Sequence, residues 1–120
     1  MKNLKSIFPI FFAVVILFVA SNPVFAAYNQ FKMLNSTGRT IIAVYFTSSA
    51  DGGWGSNRLS GVWNSGNTLT LSTPVKKYWD LKIIFQTGGE ASWTGIDTEN
   101  NGYATITPND RGGYTLNLRG

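Results

Sequence analysis

Seven short runs rich in β-branched and aromatic residues, separated by breaks that hold glycine, asparagine or serine, constrain this chain more than any other feature. They fall at 30–35, 40–48, 68–72, 78–86, 91–96, 103–107 and 114–118. Runs of this length between turn-forming residues are the pattern of strands, and no segment sustains a capped 3.6-residue apolar period. The expected fold is all-β: an antiparallel β-sandwich of about seven short strands with little or no helix. In 78–86 the period of two is clearest. Trp79, Leu81, Ile83 and Phe85 point one way, and Tyr78, Asp80, Lys82 and Ile84 the other, so the first set is expected in the core.

Run 40–48 is apolar on both faces, with Ile42, Val44 and Phe46 set against Ile41, Ala43 and Tyr45. Such a strand is expected either at the centre of a sheet or beneath a loop. Leu69 and Leu71 alternate with threonine, as a one-sided strand should, and Leu116 and Leu118 repeat the pattern. Thr87-Gly88-Gly89-Glu90 is expected to close a tight hairpin. Asn35-Ser36-Thr37-Gly38 and the 109–113 segment are turns by the same chemistry. Asn35-Ser36-Thr37 also matches a glycosylation sequon, read here as incidental to the turn.

The front of the chain differs in kind. Lys2 and Lys5 precede an apolar stretch at 7–19, Pro23 breaks it, and Val24 and Ala26 place small residues before a cleavage point. The stretch is short for a membrane span of about 20 residues. Residues 1–26 are expected to be a cleaved signal peptide, with an uncleaved anchor as the lesser reading. That leaves 27–120 as one domain, secreted to the periplasm or beyond, with no membrane attachment after cleavage. All 13 glycines fall within it.

The chain has no cysteine and no histidine. Its core must therefore hold without disulfides, although small exported domains often rely on them. The usual zinc, iron and copper ligand sets are missing as well. Beyond residue 26 there are 8 basic and 6 acidic side chains, scattered except for Lys76-Lys77. A nucleic-acid binder would concentrate its basic residues on one face, so nucleic acid is not an expected partner.

The string LNSTGRTIIAVYFTSSADGGWGSNRLSG, followed by YWDLKIIFQTGGEASWTGIDTENNGYATI, resembles a loose family of small exported bacterial β-sandwich proteins. The likeness lies in an N-x-T-G turn (Asn35, Thr37, Gly38) before a strand carrying Tyr45. It continues in a W-G-x-N-x-L-x-G segment (Trp54, Gly55, Asn57, Leu59, Gly61), a Y-D-L strand (Tyr78, Asp80, Leu81) and a W-x-G corner (Trp93, Gly95). Trp79 is an insertion within the Y-D-L element, and the cysteines of some relatives are absent. The family carries no established activity, so the resemblance implies fold and export. It also suggests that the 51–66 loop folds back on itself, with Trp54 and Leu59 packed and Asn57 bonding loop backbone.

Chemistry finds little support. Without His or Cys the common nucleophile–base pairs disappear, and no Ser-x-x-Lys occurs. The carboxylates Asp51, Asp80, Glu90, Asp97, Glu99 and Asp110 sit mostly in expected turns. No enzymatic activity and no cofactor are expected. Asp97, Glu99 and Asn101 open an EF-hand-like spacing ahead of Gly102, but position 12 of that loop is Pro108, which leaves at most a weak calcium candidate.

Binding is the remaining class. Loops on a rigid scaffold carry recognition, and Trp and Arg dominate interface energetics. The 51–66 loop is the candidate contact surface, with Trp54, Asn57, Arg58, Trp63 and Asn64 as its binding residues. The favoured partner is a protein, in an inhibitor, immunity or envelope-adaptor role. The alternative is a glycan or envelope polymer stacked on the tryptophans and bonded by the asparagines.

Overall fold

The computed structural model describes residues 30–74 and 77–120. The expected signal peptide at 1–26 and residue Lys76 lie outside the described residues. Seven strands run in chain order: β1 (Gln30–Asn35), β2 (Ile41–Ser48), β3 (Thr68–Ser72), β4 (Tyr78–Phe85), β5 (Glu90–Asp97), β6 (Tyr103–Pro108) and β7 (Tyr114–Arg119). They form two sheets, a four-stranded one in the order β3-β1-β6-β7 and a three-stranded one in the order β2-β4-β5. The protein is an all-β sandwich, and no helix occurs among the described residues.

Pairing is antiparallel except between β1 and β6, which run parallel from Lys32 opposite Tyr103 to Asn35 opposite Ile106. Parallel neighbours need a long crossover, and here the whole three-stranded sheet lies between the two strands in sequence. The β4–β5 hairpin forms where the glycine pair predicts it. Gly88 N–H donates to Phe85 O at 3.1 Å, and Phe85 N–H donates to Gly89 O at 3.0 Å.

The inner faces build one core. Phe31 and Met33 of β1, Leu71 of β3 and Ile106 of β6 meet Val44 and Phe46 of β2 and the β4 row. That row is Trp79, Leu81, Ile83 and Phe85, all buried as the period of two predicts. Three rings stack across the sandwich: Phe31 on Phe46 at 5.7 Å between centroids, and Phe46 on Trp79 at 4.7 Å. Aromatic pairs of this kind are worth about 0.5–1.5 kcal/mol each beyond the area they bury. In a small domain without disulfides, that cross-sheet stack is a principal tie.

Strict alternation fails in β2. It groups Ile42 with Val44 and Phe46, yet Ile41 is fully buried and Ile42 is 38% exposed. A β-bulge shifts the register: Ile41 pairs with Phe85, but Ala43 pairs with Ile84. The extra residue flips the phase of everything before it. A second bulge lies in β5, where two residues, Thr94 and Gly95, face Asp80 alone. Gly95 takes a φ of 66° there, a conformation that costs a side-chain-bearing residue about 1–2 kcal/mol.

Candidate functional site

β2 is an edge strand by sheet order, and the chain after it returns to cover that edge. Leaving β2, the loop passes through Gly52, Gly53 and Gly55, all at positive φ, which turns it back on itself. Asn57 then docks. Its Oδ1 accepts the N–H of Val44 at 2.9 Å and that of Leu59 at 3.0 Å. Arg58 N–H donates to Val44 O at 2.7 Å, and its Nη1 donates to Phe46 O at 2.7 Å. Five residues on, Ile41 and Trp63 exchange both backbone hydrogen bonds, at 2.8 and 3.0 Å, in an isolated antiparallel bridge. Residues 57–63 therefore satisfy the outward backbone groups of β2 at Ile41, Val44 and Phe46.

Trp63 is the plug. Its ring is 3% exposed within the core, and its Nε1–H donates to Asn67 O at 2.8 Å. The expected contact role of Trp63 is corrected accordingly: the side chain faces inward and offers no face to a ligand. Asn35 secures this arrangement from beneath. It is fully buried, and its Nδ2 donates to Trp63 O and Arg39 O, both at 3.0 Å. Its Oδ1 accepts Thr37 Oγ1–H at 2.7 Å and Thr37 N–H at 3.1 Å. An asparagine so engaged is no glycan acceptor, which agrees with an incidental sequon.

The other candidate residues divide. Trp54 is half-buried on the outer face of the three-stranded sheet, where the Lys82 ammonium lies 5.1 Å from both its ring and that of Tyr45. Tyr45 and Lys82 are register partners on β2 and β4, so cross-strand pairing sets this stack. Arg58 is exposed apart from its bond to Phe46 O, and Asn64 is exposed with Oδ1 accepting Thr40 Oγ1–H at 3.1 Å. Asn57 belongs to the scaffold through its side-chain oxygen. Beside these lies a cleft of about 290 Å³, lined in part by Ser48, Asp51, Trp54, Ser56 and Arg58.

The binding candidates omit two residues: Val62, 55% exposed, and Ile42 at the bulge. In the antiparallel Ile41–Trp63 bridge the next register pair is Ile42, one residue after Ile41, opposite Val62, one residue before Trp63, and both are exposed rather than in the core. A glycine-rich segment gives no hint of strand-like pairing, and simple alternation assigns Ile42 to the inner face.

Asp80 joins elements that are far apart in sequence. Its Oδ1 accepts Ser49 Oγ–H at 2.6 Å and Gly95 N–H at 3.0 Å, which fastens the start of the loop to the β5 bulge. The calcium candidates do not converge. Asp97 accepts the N–H groups of Glu99 and Asn100 at 3.1 and 3.2 Å and Asn100 Nδ2–H at 2.8 Å. Asn101 Nδ2 donates to Asp97 O, and Glu99 pairs with Lys77 at 3.6 Å. The Asn100 amide and these backbone N–H groups hold the Asp97 carboxyl below its ordinary value. No cluster of three or more metal-binding side chains occurs among the described residues.

These features define an all-β sandwich in which a glycine-rich loop covers the edge of β2. No family model and no curated protein matches the chain. A protein from Eubacterium rectale with an NMR structure is similar in fold, with a TM-score of 0.59 at 11% identity, over 77% of this chain and 89% of that one.

Proposed function

We propose that the protein is a small exported, non-catalytic binding protein that engages a protein partner through the outward side of the 51–66 loop, in an inhibitor, immunity or envelope-adaptor role. The observation that supports this most is the apolar pair Ile42 and Val62, exposed on a backbone that hydrogen bonds hold in place. A preformed surface loses little freedom on binding, and a loop that carries Trp54, Arg58 and the exposed Val62 has the composition of an interface hot spot. Cleft geometry favours a second reading, a glycan or envelope polymer resting against Trp54 with Asp51, Ser56 and Arg58 around it.

The test is affinity capture with 27–120 as bait, against an Ile42→Asp/Val62→Asp double variant. Both positions are exposed, so the variant should fold. The expected result is one stoichiometric protein whose affinity, remeasured with purified components, falls roughly tenfold or more with the variant. Equal affinity for both baits contradicts this surface. An empty capture together with saccharide binding that is lost in Trp54→Ala moves the function to the second reading.

A further inference from the structure

The sandwich has four strand edges, and three are visibly defended. β2 is covered by 57–63. β5 carries the Gly95 bulge and ends in Glu90 and Asp97, features that twist or charge an edge against pairing. β3 has five residues, with Pro74 two residues beyond. β7 has none of these protections. It pairs with β6 without a register break over its full length, contains no proline, and carries one charge, Arg119, at its end.

The inner row of β7 is also left incomplete. Leu116 and Leu118 stand opposite the buried Ile106 and Ala104, so both face the core side, yet Leu116 is only half-buried and Leu118 is 40% exposed. Tyr114, the third member, is already engaged: its ring lies 4.7 Å from Phe85, and its hydroxyl accepts Arg39 Nη1–H at 3.0 Å. The free apolar surface is thus the Leu116–Leu118 pair.

We infer that β7 is the edge through which two copies of this chain pair, antiparallel about a two-fold axis at Asn117. This register is self-complementary. Leu116 meets the Leu118 of the second copy and Leu118 meets its Leu116, so apolar lies on apolar along the inner face. On the outer face Asn117 meets Asn117 and Thr115 meets Arg119, so no like charges are opposed. The edge hydrogen bonds are satisfied, and the four-stranded sheet runs on into its counterpart. Because the 51–66 loop closes the β2 and β3 side, the pair carries its two loops at opposite ends. The inference goes beyond the proposed function and does not depend on it.

Sedimentation of 27–120 over a wide concentration range tests it. The expected result is a reversible monomer–dimer equilibrium, weakened roughly tenfold or more by Leu118→Lys. That side chain is substantially exposed, and circular dichroism checks that the variant keeps its fold. The native chain lacks cysteine, so Asn117→Cys reports the register directly: directly facing Cβ atoms, at the near end of about 4.5 Å, come within disulfide reach and should oxidise to a covalent dimer. Thr70→Cys, on the outer face of β3, should not. A chain that stays monomeric, a dimer indifferent to Leu118→Lys, or equal cross-linking of the two cysteine variants would each overturn the inference.

Discussion

At the β2 and β3 side of the sandwich, Trp63 closes the gap between sheets and the backbone of 57–63 covers the edge. At the opposite side, bounded by β5 and β7, inward-facing residues remain partly open: Trp93 and Ala91 on β5, and Leu116 and Leu118 on β7. Both sides belong to one small domain without disulfides, and both present large apolar side chains to the same core. The difference is whether the chain itself supplies a covering segment. Glycine makes the cover possible, because Gly52, Gly53 and Gly55 let the chain reverse tightly enough to lie back along β2. Tryptophan makes it worthwhile, by filling the gap that the reversed segment spans.

Truncating the two tryptophans sharpens that contrast most. Trp63→Ala removes a buried ring and is expected to cost about 3–5 kcal/mol in chemical denaturation. Trp93→Ala, on the open side, should cost no more than about 2 kcal/mol, as fits a half-buried ring. Equal losses would break the comparison. Next in size is Asn35→Ala, which removes the Nδ2 donor from the carbonyls of Trp63 and Arg39, the latter still in reach of Thr37 Oγ1–H at 3.3 Å, and the acceptor from Thr37 N–H. Each buried group left unsatisfied costs roughly 1–3 kcal/mol, although Trp63 O retains the Ile41 N–H. The expected melting temperature lies between those of the two tryptophan variants.

The smallest effect is electrostatic and sits away from both sides, at Asp97. Its carboxyl titrates below the ordinary aspartate value because Asn100 and two backbone N–H groups favour the charged form. A depressed folded pKa gives stability that is present above the unfolded value of about 3.9 and is lost as pH falls through the folded value. Asp97→Asn should therefore flatten the acid limb of a melting-temperature profile while changing little near neutrality. An unchanged acid limb would remove Asp97 from the account.

The strands were legible in the sequence because their signals are local. Trp79, Leu81, Ile83 and Phe85 alternate, and glycine pairs or asparagine clusters end the runs. The apolar two-sidedness of 40–48 was legible too; of its two expected explanations, a central strand or a covering loop, the second holds, as β2 is an edge strand covered by 57–63. Register was not legible. Nothing in TIIAV announces the bulge that buries Ile41 and exposes Ile42, since a bulge is settled by pairing with β4. The parallel β1–β6 contact was hidden for the same reason, as it joins residues 71 positions apart. At the candidate site, Trp63 was expected among the contact residues because its partners Ile41, Asn35 and Asn67 meet only in three dimensions.

Hydrogen exchange on 27–120 tests the central claim, that residues 57–63 cover the edge of β2, most directly. Amides bonded across β2 and the loop, those of Ile41, Val44, Arg58 and Trp63, should exchange slowly and together, close to the rate set by global unfolding. Those of Gly52 and Gly53 should exchange fast. Slow exchange at all four would place the loop within the cooperative fold. Arg58 and Trp63 exchanging as fast as the glycines would contradict it, and the 51–66 segment would then be a mobile loop over an open edge.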